Sequence, residues 1–305
     1  MRVLLTGFEG FIGSHTLEAL IGEGHEVFGA DSGIGRNQAN VEGIEGYTAT
    51  FPGDIAHAEQ IIAEVRPHAI IHLAAQPSLL TSWEQPLYDA EVNIIGTLKL
   101  AKAAKTYGVE KFVYASTSAV YNSGARSPWT EHTELFPERP YGISKLAAEF
   151  YVRTLAPNPV ILRYGNVFGP RQVPVGDNQI VPRALAHFYN NEPFVIYGDG
   201  EQSRDFVYVT DIAAANVAAL AYTGTGTFNV GYGMSSSVNF ILDLIKKETG
   251  FSGRLKHVDA KPGEPTEVLL DSSRAKAFLH WKPQMSLYNG LRATVKWWEE
   301  NKCPK

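Results

Sequence analysis

Cysteine is almost missing from this chain of 305 residues, which has one, Cys303. A disulfide needs two thiols and a thiolate metal centre needs several, so both frameworks are excluded. Long apolar runs are missing as well. Nothing approaches the roughly 20 residues that cross a bilayer, and the opening MRVLLT lacks the apolar region and cleavage site of a secretory leader. An excess of positive charge is also absent. Lys and Arg number 27 against 32 Asp and Glu, a formal net charge of −5, which argues against a sequence-independent grip on nucleic acid. An anionic ligand would have to be held by local backbone donors and a few cations. No internal repeat, low-complexity tract or clean linker interrupts the chain. These absences predict a cytoplasmic enzyme or binding protein with no nucleic-acid or membrane partner.

What is present is an ordinary core-forming composition, 44% apolar and 19% charged. That suits one large α/β domain, or a large domain with a smaller one. The first half alternates short apolar runs with helix-period segments. Strands are expected at 2–6, 26–31, 69–75, 111–117 and 160–165, and helices at about 12–22, 58–65, 87–107 and 140–155. Alternation of this kind means right-handed crossovers and a parallel sheet covered on both faces. After about residue 165 the rhythm breaks. Gly, Pro and Asn accumulate, with helices expected at 179–189, 210–221, 236–249 and 286–300 and short strands near 194–197, 227–231 and 267–270. The reading is α/β: a doubly wound parallel sheet over 1–165, with segments about 205–230 returning to it. A smaller mixed region, 166–305, would close over the carboxyl ends of the strands.

Strand 2–6 runs directly into Gly7-Phe8-Glu9-Gly10-Phe11-Ile12-Gly13 and then a helix. Glycines between strand and helix let backbone N–H groups approach a pyrophosphate at the helix N-terminus. Gly13 also allows the helix to pack close to the sheet. The next strand ends at Asp31, the distance at which a carboxylate reaches the ribose hydroxyls of a dinucleotide. A carboxylate there repels a 2′-phosphate and favours NAD, although Arg36 in the following loop keeps NADP open. Asp54 and Ile55 are candidates to flank adenine, and Asp54 could equally cap helix 58–65. Further on, Tyr141 and Lys145 stand four apart in PYGISKLAAEFY. Residues at i and i+4 share a helix face, so a phenol and an ammonium meet one ligand, and the ammonium should lower the tyrosine toward use as a base. The spacing alone is common by chance on amphipathic helices.

Taken in order, TGFEGFIGSH, Asp31, GDI, HLAAQ (72–76), Asn93-x-x-Gly96-Thr97, YASTSAVY, YGISK, RYGNVFGPRQ and YGDGEQSRDFVYVTD resemble the extended short-chain dehydrogenase/reductase family. The branch they resemble is that of the nucleotide-sugar epimerases and dehydratases, over nearly the whole chain. The resemblance implies a Rossmann-type domain binding NAD and a C-terminal region binding a nucleotide sugar, most simply a UDP-hexose. It implies a triad in which Thr117 hydrogen-bonds the reacting sugar oxygen, Tyr141 is the base, and Lys145 holds the nicotinamide ribose. Leu73, Ala74 and Ala75 would line the cofactor, Asn93 would tie a helix to the strand ends beside it, and His72 reads as a satisfied buried histidine.

Relatives that eliminate water carry Asp-Glu immediately after the catalytic threonine, and those that decarboxylate carry Glu in the second place. This chain has Ser118-Ala119, which leaves 4-epimerisation or 4-keto reduction, with Asp31 inclining toward the epimerase. The expected activity is an NAD-dependent 4-epimerase of UDP-glucose/UDP-galactose type. A nucleotide-4-keto-6-deoxysugar reductase and a non-catalytic NAD-sensing regulator are the alternatives. At the substrate end the resemblance implies Asn166 at the diphosphate, Arg204 at the phosphates or the nucleotide ribose, Gln179 and Ile180 near the sugar and nucleotide, and Lys261 where relatives place a second arginine. Val268 falls about where sugar size is limited. Asn122 and Gly165 depart from the usual glycine and aromatic. The resemblance also implies a homodimer through helices 87–107 and 141–155.

Overall fold

A computed structural model describes residues 1–33, 38–50, 53–174, 179–260 and 263–301 of the protein. The chain begins with β1 (Arg2–Thr6), α1 (Phe11–Gly22), β2 (Glu26–Ala30), β3 (Tyr47–Ala49), α2 (Ala58–Val65) and β4 (Ala69–His72). It continues through α3 (Leu79–Glu84), α4 (Pro86–Ala90), a π-helical turn (Glu91–Gly96), α5 (Thr97–Thr106), β5 (Lys111–Thr117), α6 (Pro140–Leu155) and β6 (Pro159–Tyr164). It then leaves the sheet for β7 (Asn166–Phe168), α7 (Ile180–Tyr189), β8 (Phe194–Tyr197) and β9 (Ser203–Tyr208). After α8 (Val209–Ala221) it returns as β10 (Gly226–Val230). Last come β11 (Ser235–Ser237), α9 (Val238–Thr249), β12 (Leu255–Val258), β13 (Glu267–Val268), α10 (Ser273–Phe278) and α11 (Leu287–Asn301).

The main sheet has seven parallel strands in the order β10-β6-β5-β4-β1-β2-β3. Side chains alternate along each strand, so both faces must be covered. Val3 and Leu5 face a cluster with Leu17, Leu20, Ile212 and Ala215 of α1 and α8. Leu4 points the other way and joins Ile61, Ile62, Leu100, Ala104 and Val152 of α2, α5 and α6. This double burial is why the strands read as continuous apolar runs. The protein is a doubly wound Rossmann-type fold with a mixed α/β remainder.

The strand ends are in register. Thr6 pairs with Ala30 and with His72, His72 with Tyr114, Thr117 with Tyr164, and Tyr164 with Val230. The residues that follow these ends therefore emerge along one edge of the sheet. The order reverses between β1 and β4, the place where doubly wound sheets open a crevice.

Beyond the main sheet, β9 pairs with β7, β11 and β13, and β8 pairs with β12. Helices α7, α9 and α11 pack on these strands around Phe188, Phe194, Phe206 and Trp298. Two expected elements come out differently. The strand predicted at 69–75 stops at His72, because Leu73, Ala74 and Ala75 turn away from the sheet into the cavity wall. The helix predicted at 87–107 is broken by the π-helical turn, where buried polar groups around Asn93 bond across to the segment after β4.

Candidate active site

A cavity of about 790 Å³ runs along the carboxyl edge of the main sheet. At one end Gly7, Gly10, Phe11, Ile12 and Gly13 line it. Gly10 caps α1 without a side-chain bond, so the first helical amides keep their donors for a ligand. Gly7 has φ +71°, and a Cβ there would lie 2.7 Å from the Ala74 backbone nitrogen. A Cβ on Gly13 would run into the Gly7 carbonyl. At Gly7 and Gly13 the turn is thus packed too tightly for side chains. Asp31, at the end of β2, lines the same end, and one carboxylate oxygen accepts from Gly33 N at 3.2 Å. Asp54 and Ile55 also line it, and Asp54 caps the 3₁₀ turn before α2 by accepting from Ala56 N at 2.8 Å. Leu73, Ala74 and Ala75 form the opposite strand-end wall. Arg36 lies outside the described residues.

Asn93 stands behind this wall and is not part of its lining. Fully buried, it bonds the backbone of Gln76 both ways, at 2.9 and 3.1 Å, and donates to Asp89 and Ser144. Gln76 donates to the same Asp89 carboxylate at 2.8 Å. His72 is wedged between the hydroxyls of Thr6 and Thr97 at 2.7 and 2.9 Å. Burial, with the Lys145 charge adding to it, lowers its pKa to about 3.

Thr117, Tyr141 and Lys145 meet in the middle of the cavity. Thr117 ends β5, and its hydroxyl bonds the Tyr141 phenol. The phenol is not lowered by its lysine as the spacing suggested. Burial first, and then the Asp89 carboxylate, push it up to about 12, with the Thr117 hydrogen bond pulling the other way. Lys145 is itself nearly fully buried, 4.3 Å above the Tyr114 ring. Burial lowers it to about 7 against the opposing charges of Glu149 and Asp89. Burial and Asp89 thus favour the neutral phenol, and the Thr117 hydrogen bond the phenolate.

Sequence reasoning missed the carboxylates behind this triad. Glu149 is fully buried and accepts from Ser116 Oγ at 2.6 Å, from Arg163 at 2.9 and 2.6 Å, and from Arg153 at 2.7 Å. Burial works against the Arg163 charge, but Glu149 holds its pKa raised. Through Ser116 the pair fixes the strand end that presents Thr117. The signal was available for Glu149, since Tyr141, Lys145 and Glu149 repeat at i, i+4 and i+8. Nothing comparable marked Asp89.

At the far end Asn166, Gln179, Ile180, Arg204 and Val268 line the cavity. Lys261 lies outside the described residues. Arg204 does not pair with the neighbouring Asp205. Its guanidinium bonds the Glu264 carboxylate at 2.6 Å and the carbonyls of Ser203 and Pro265. Asp205 is instead fully buried and accepts three backbone amides, from Tyr232, Gly233 and Leu270. Gly165 is accounted for by this neighbour, because a Cβ there would lie 2.9 Å from the Asp205 carbonyl. Asn122 bonds Glu134 and the turn amide of Gly124. Among the described residues no cluster of His, Cys, Asp or Glu could hold a metal ion, and no helix is long and apolar enough to cross a membrane.

Comparison with known proteins agrees with this geometry. A profile of the NAD dependent epimerase/dehydratase family matches residues 3–231. A UDP-glucose 4-epimerase from Thermotoga maritima, solved with UDP-glucose, is 35% identical with a TM-score of 0.92, covering 99% of this chain and 100% of that one. A UDP-N-acetylglucosamine 4-epimerase from Methanobrevibacter ruminantium, in complex with UDP-N-acetylmuramic acid, is 33% identical with a TM-score of 0.91, covering 98% of each chain. A UDP-glucose 4-epimerase from Thermus thermophilus, in complex with NAD, is 35% identical with a TM-score of 0.88, covering 98% of this chain and 99% of that one.

Proposed function

The chain belongs to the NAD-dependent epimerase/dehydratase family, and from that membership we propose that it is a 4-epimerase of a UDP-activated hexose of the glucose/galactose type. The observation that carries the reaction type is the composition of the triad's surroundings. Thr117, Tyr141 and Lys145 line the cavity together, and the residues after Thr117 in that wall are Ser118 and Ala119, which cannot shuttle protons for elimination or decarboxylation. The structural neighbours solved with UDP-glucose and with UDP-N-acetylmuramic acid support a UDP-sugar, with glucose/galactose the simplest choice.

The cofactor is NAD. The residues at the first end of the cavity fit it, because Gly7 and Gly13 admit no side chain and the α1 N-terminus lacks a side-chain cap. In this reading the α1 amides hold the pyrophosphate, Asp31 the adenosine ribose, and Asp54 and Ile55 the adenine. When bound, NAD supplies a reversible hydride acceptor at the sugar C4 carbon and a positively charged ring. Tyr141, as phenolate, takes the proton of the sugar 4-hydroxyl, and Thr117 keeps a hydrogen bond on the same oxygen. Lys145 stabilises the phenolate and holds the nicotinamide ribose. After the keto-sugar has turned within the cavity, Tyr141 returns the same proton to the oxygen, now on the opposite configuration. Arg204 and Asn166 grip the diphosphate while the sugar moves.

The test is purified protein with UDP-galactose and no added reductant. Interconversion with UDP-glucose is the expected outcome. Turnover seen only on a 4-keto sugar, with consumption of NAD(P)H, would replace the epimerase by a reductase. The same reading includes a homodimer. It is supported by Trp83, Leu87, Ile143 and Phe150, which stand 61%, 86%, 51% and 55% exposed on α3, α4 and α6, helices that pack on one another. Light scattering on the eluted protein checks it, and a monomer at micromolar concentration would reject it.

A further inference from the structure

Arg139 is the N-cap of α6, the helix that carries Tyr141 and Lys145. Its backbone is extended and its side chain makes no capping bond. Ser, Thr, Asp and Asn suit that position because their side chains accept an orphan amide hydrogen, and a cation at the positive end of a helix is unfavourable. The arginine is therefore poorly used as a cap. It lines the cavity instead, as Arg204 does from β9. Both guanidiniums hold the same short loop. Arg139 donates to the Gly263 carbonyl at 3.3 Å, while Arg204 donates to the Pro265 carbonyl at 2.9 Å and to Glu264 at 2.6 Å. The two cations lie close enough for Arg139 to oppose the charge that burial already disfavours on Arg204. Among the described residues the carboxylate partner goes to Arg204; Glu138, beside Arg139 in sequence, accepts from Ser123 at 2.6 Å.

Like charges gathered in one wall suit an anion with several oxygens spread over more than one centre. We propose that Arg139 is a specificity-determining residue for the nucleotide diphosphate, engaging the phosphate next to the sugar while Arg204 takes the other. Its position two residues before Tyr141, which works at the sugar ring, selects the phosphate nearer the sugar. The planar donor fork matches two oxygens of one phosphate. The inference rests on the nucleotide-sugar reading of the cavity.

Calorimetric titration of the full protein with UMP, UDP and UDP-glucuronate tests it. Arg139→Ser should weaken UDP roughly tenfold and UMP by less than about twofold, the scale of one lost charge-assisted hydrogen-bond contact. Its thermal midpoint should hold or rise, since serine is the better cap. Arg139→Lys, which keeps charge without the fork, should fall between and carries the same comparison if the serine variant does not fold. Equal losses for UMP and UDP would reduce Arg139 to a structural role and overturn the proposal. So would an unchanged UDP affinity with loss confined to UDP-glucuronate, which would make it a reader of a sugar carboxylate. An unaltered protein that binds no UDP would sink the nucleotide-sugar reading itself.

Discussion

In the proposed reading the two ends of the cavity hold an anion in opposite ways. At the cofactor end the donors are backbone amides of a turn in which Gly7 and Gly13 leave no room for a Cβ. These glycines fall within one seven-residue segment. At the substrate end the donors are guanidiniums from distant segments, and Arg204 is held by Glu264, 60 residues away. A backbone cradle is shaped by packing, so its selectivity is steric. A charged wall selects electrostatically, and here it depends on the loop whose Glu264 and carbonyls orient the guanidiniums.

The strongest test separates both ends from the chemistry between them. Tyr141→Phe should cut kcat/KM for UDP-galactose roughly a thousandfold or more, the scale of losing a general base, while NAD and UDP still bind in titration. Residual turnover near the unaltered level would mean that the base has been misassigned. Next in size is the steric end. Gly13→Ala places a Cβ against the Gly7 carbonyl, and overpacking of about 1–3 kcal/mol should weaken NAD roughly tenfold or more. UDP affinity should barely move, and equal losses of both ligands would blur the contrast between the ends. At the charged end Arg204→Lys keeps the cation and loses the fork, so the KM for the UDP-sugar should rise by roughly tenfold, with NAD affinity unchanged in fluorescence titration.

The smallest expected effect is in stability against pH, where the two ends have opposite signs. His72 and His15 belong to the cofactor half, and burial lowers them to about 3 and about 4. The unfolded chain takes up these protons below about 6.5 while the folded protein does not, so stability is full above that pH and falls as the solution is acidified. Burial raises Asp205, at the substrate end, to about 6. Its contribution is present below the ordinary carboxylate range and is lost as pH rises through about 6. Urea midpoints between pH 7 and 5 should therefore fall with acid in the unaltered protein and fall less in His72→Gln. A steeper fall in that variant would refute the assignment.

The same contrast explains how much was legible in the sequence. The glycine turn, Asp31 and the Tyr141–Lys145 pair are local patterns, and each lines the cavity. The parallel sheet was legible because strands buried on both faces are apolar throughout. The break at Glu91–Gly96 was not, since it is set by Asn93 and Asp89 bonding to Gln76, 13 to 17 residues away. The Arg204–Glu264 pair and the depressed Lys145 were hidden for a related reason. Burial and partners at long separation decide them, and neither leaves a period in the chain.

The return of β10 to the edge of the main sheet has a consequence for how the protein is made. Its partner β6 ends at Tyr164, and the segments between them, β7 to α8, include much of the substrate wall. A nascent chain can assemble β1 to β6 as they emerge, but Pro159–Tyr164 stays an open edge until about 65 more residues have left the ribosome, taking synthesis at its usual residue-by-residue pace. The sheet begun by β1 to β6 is therefore sealed only by a strand encoded after β7 to α8. Cutting the gene between them would leave a sticky sheet rather than a working module.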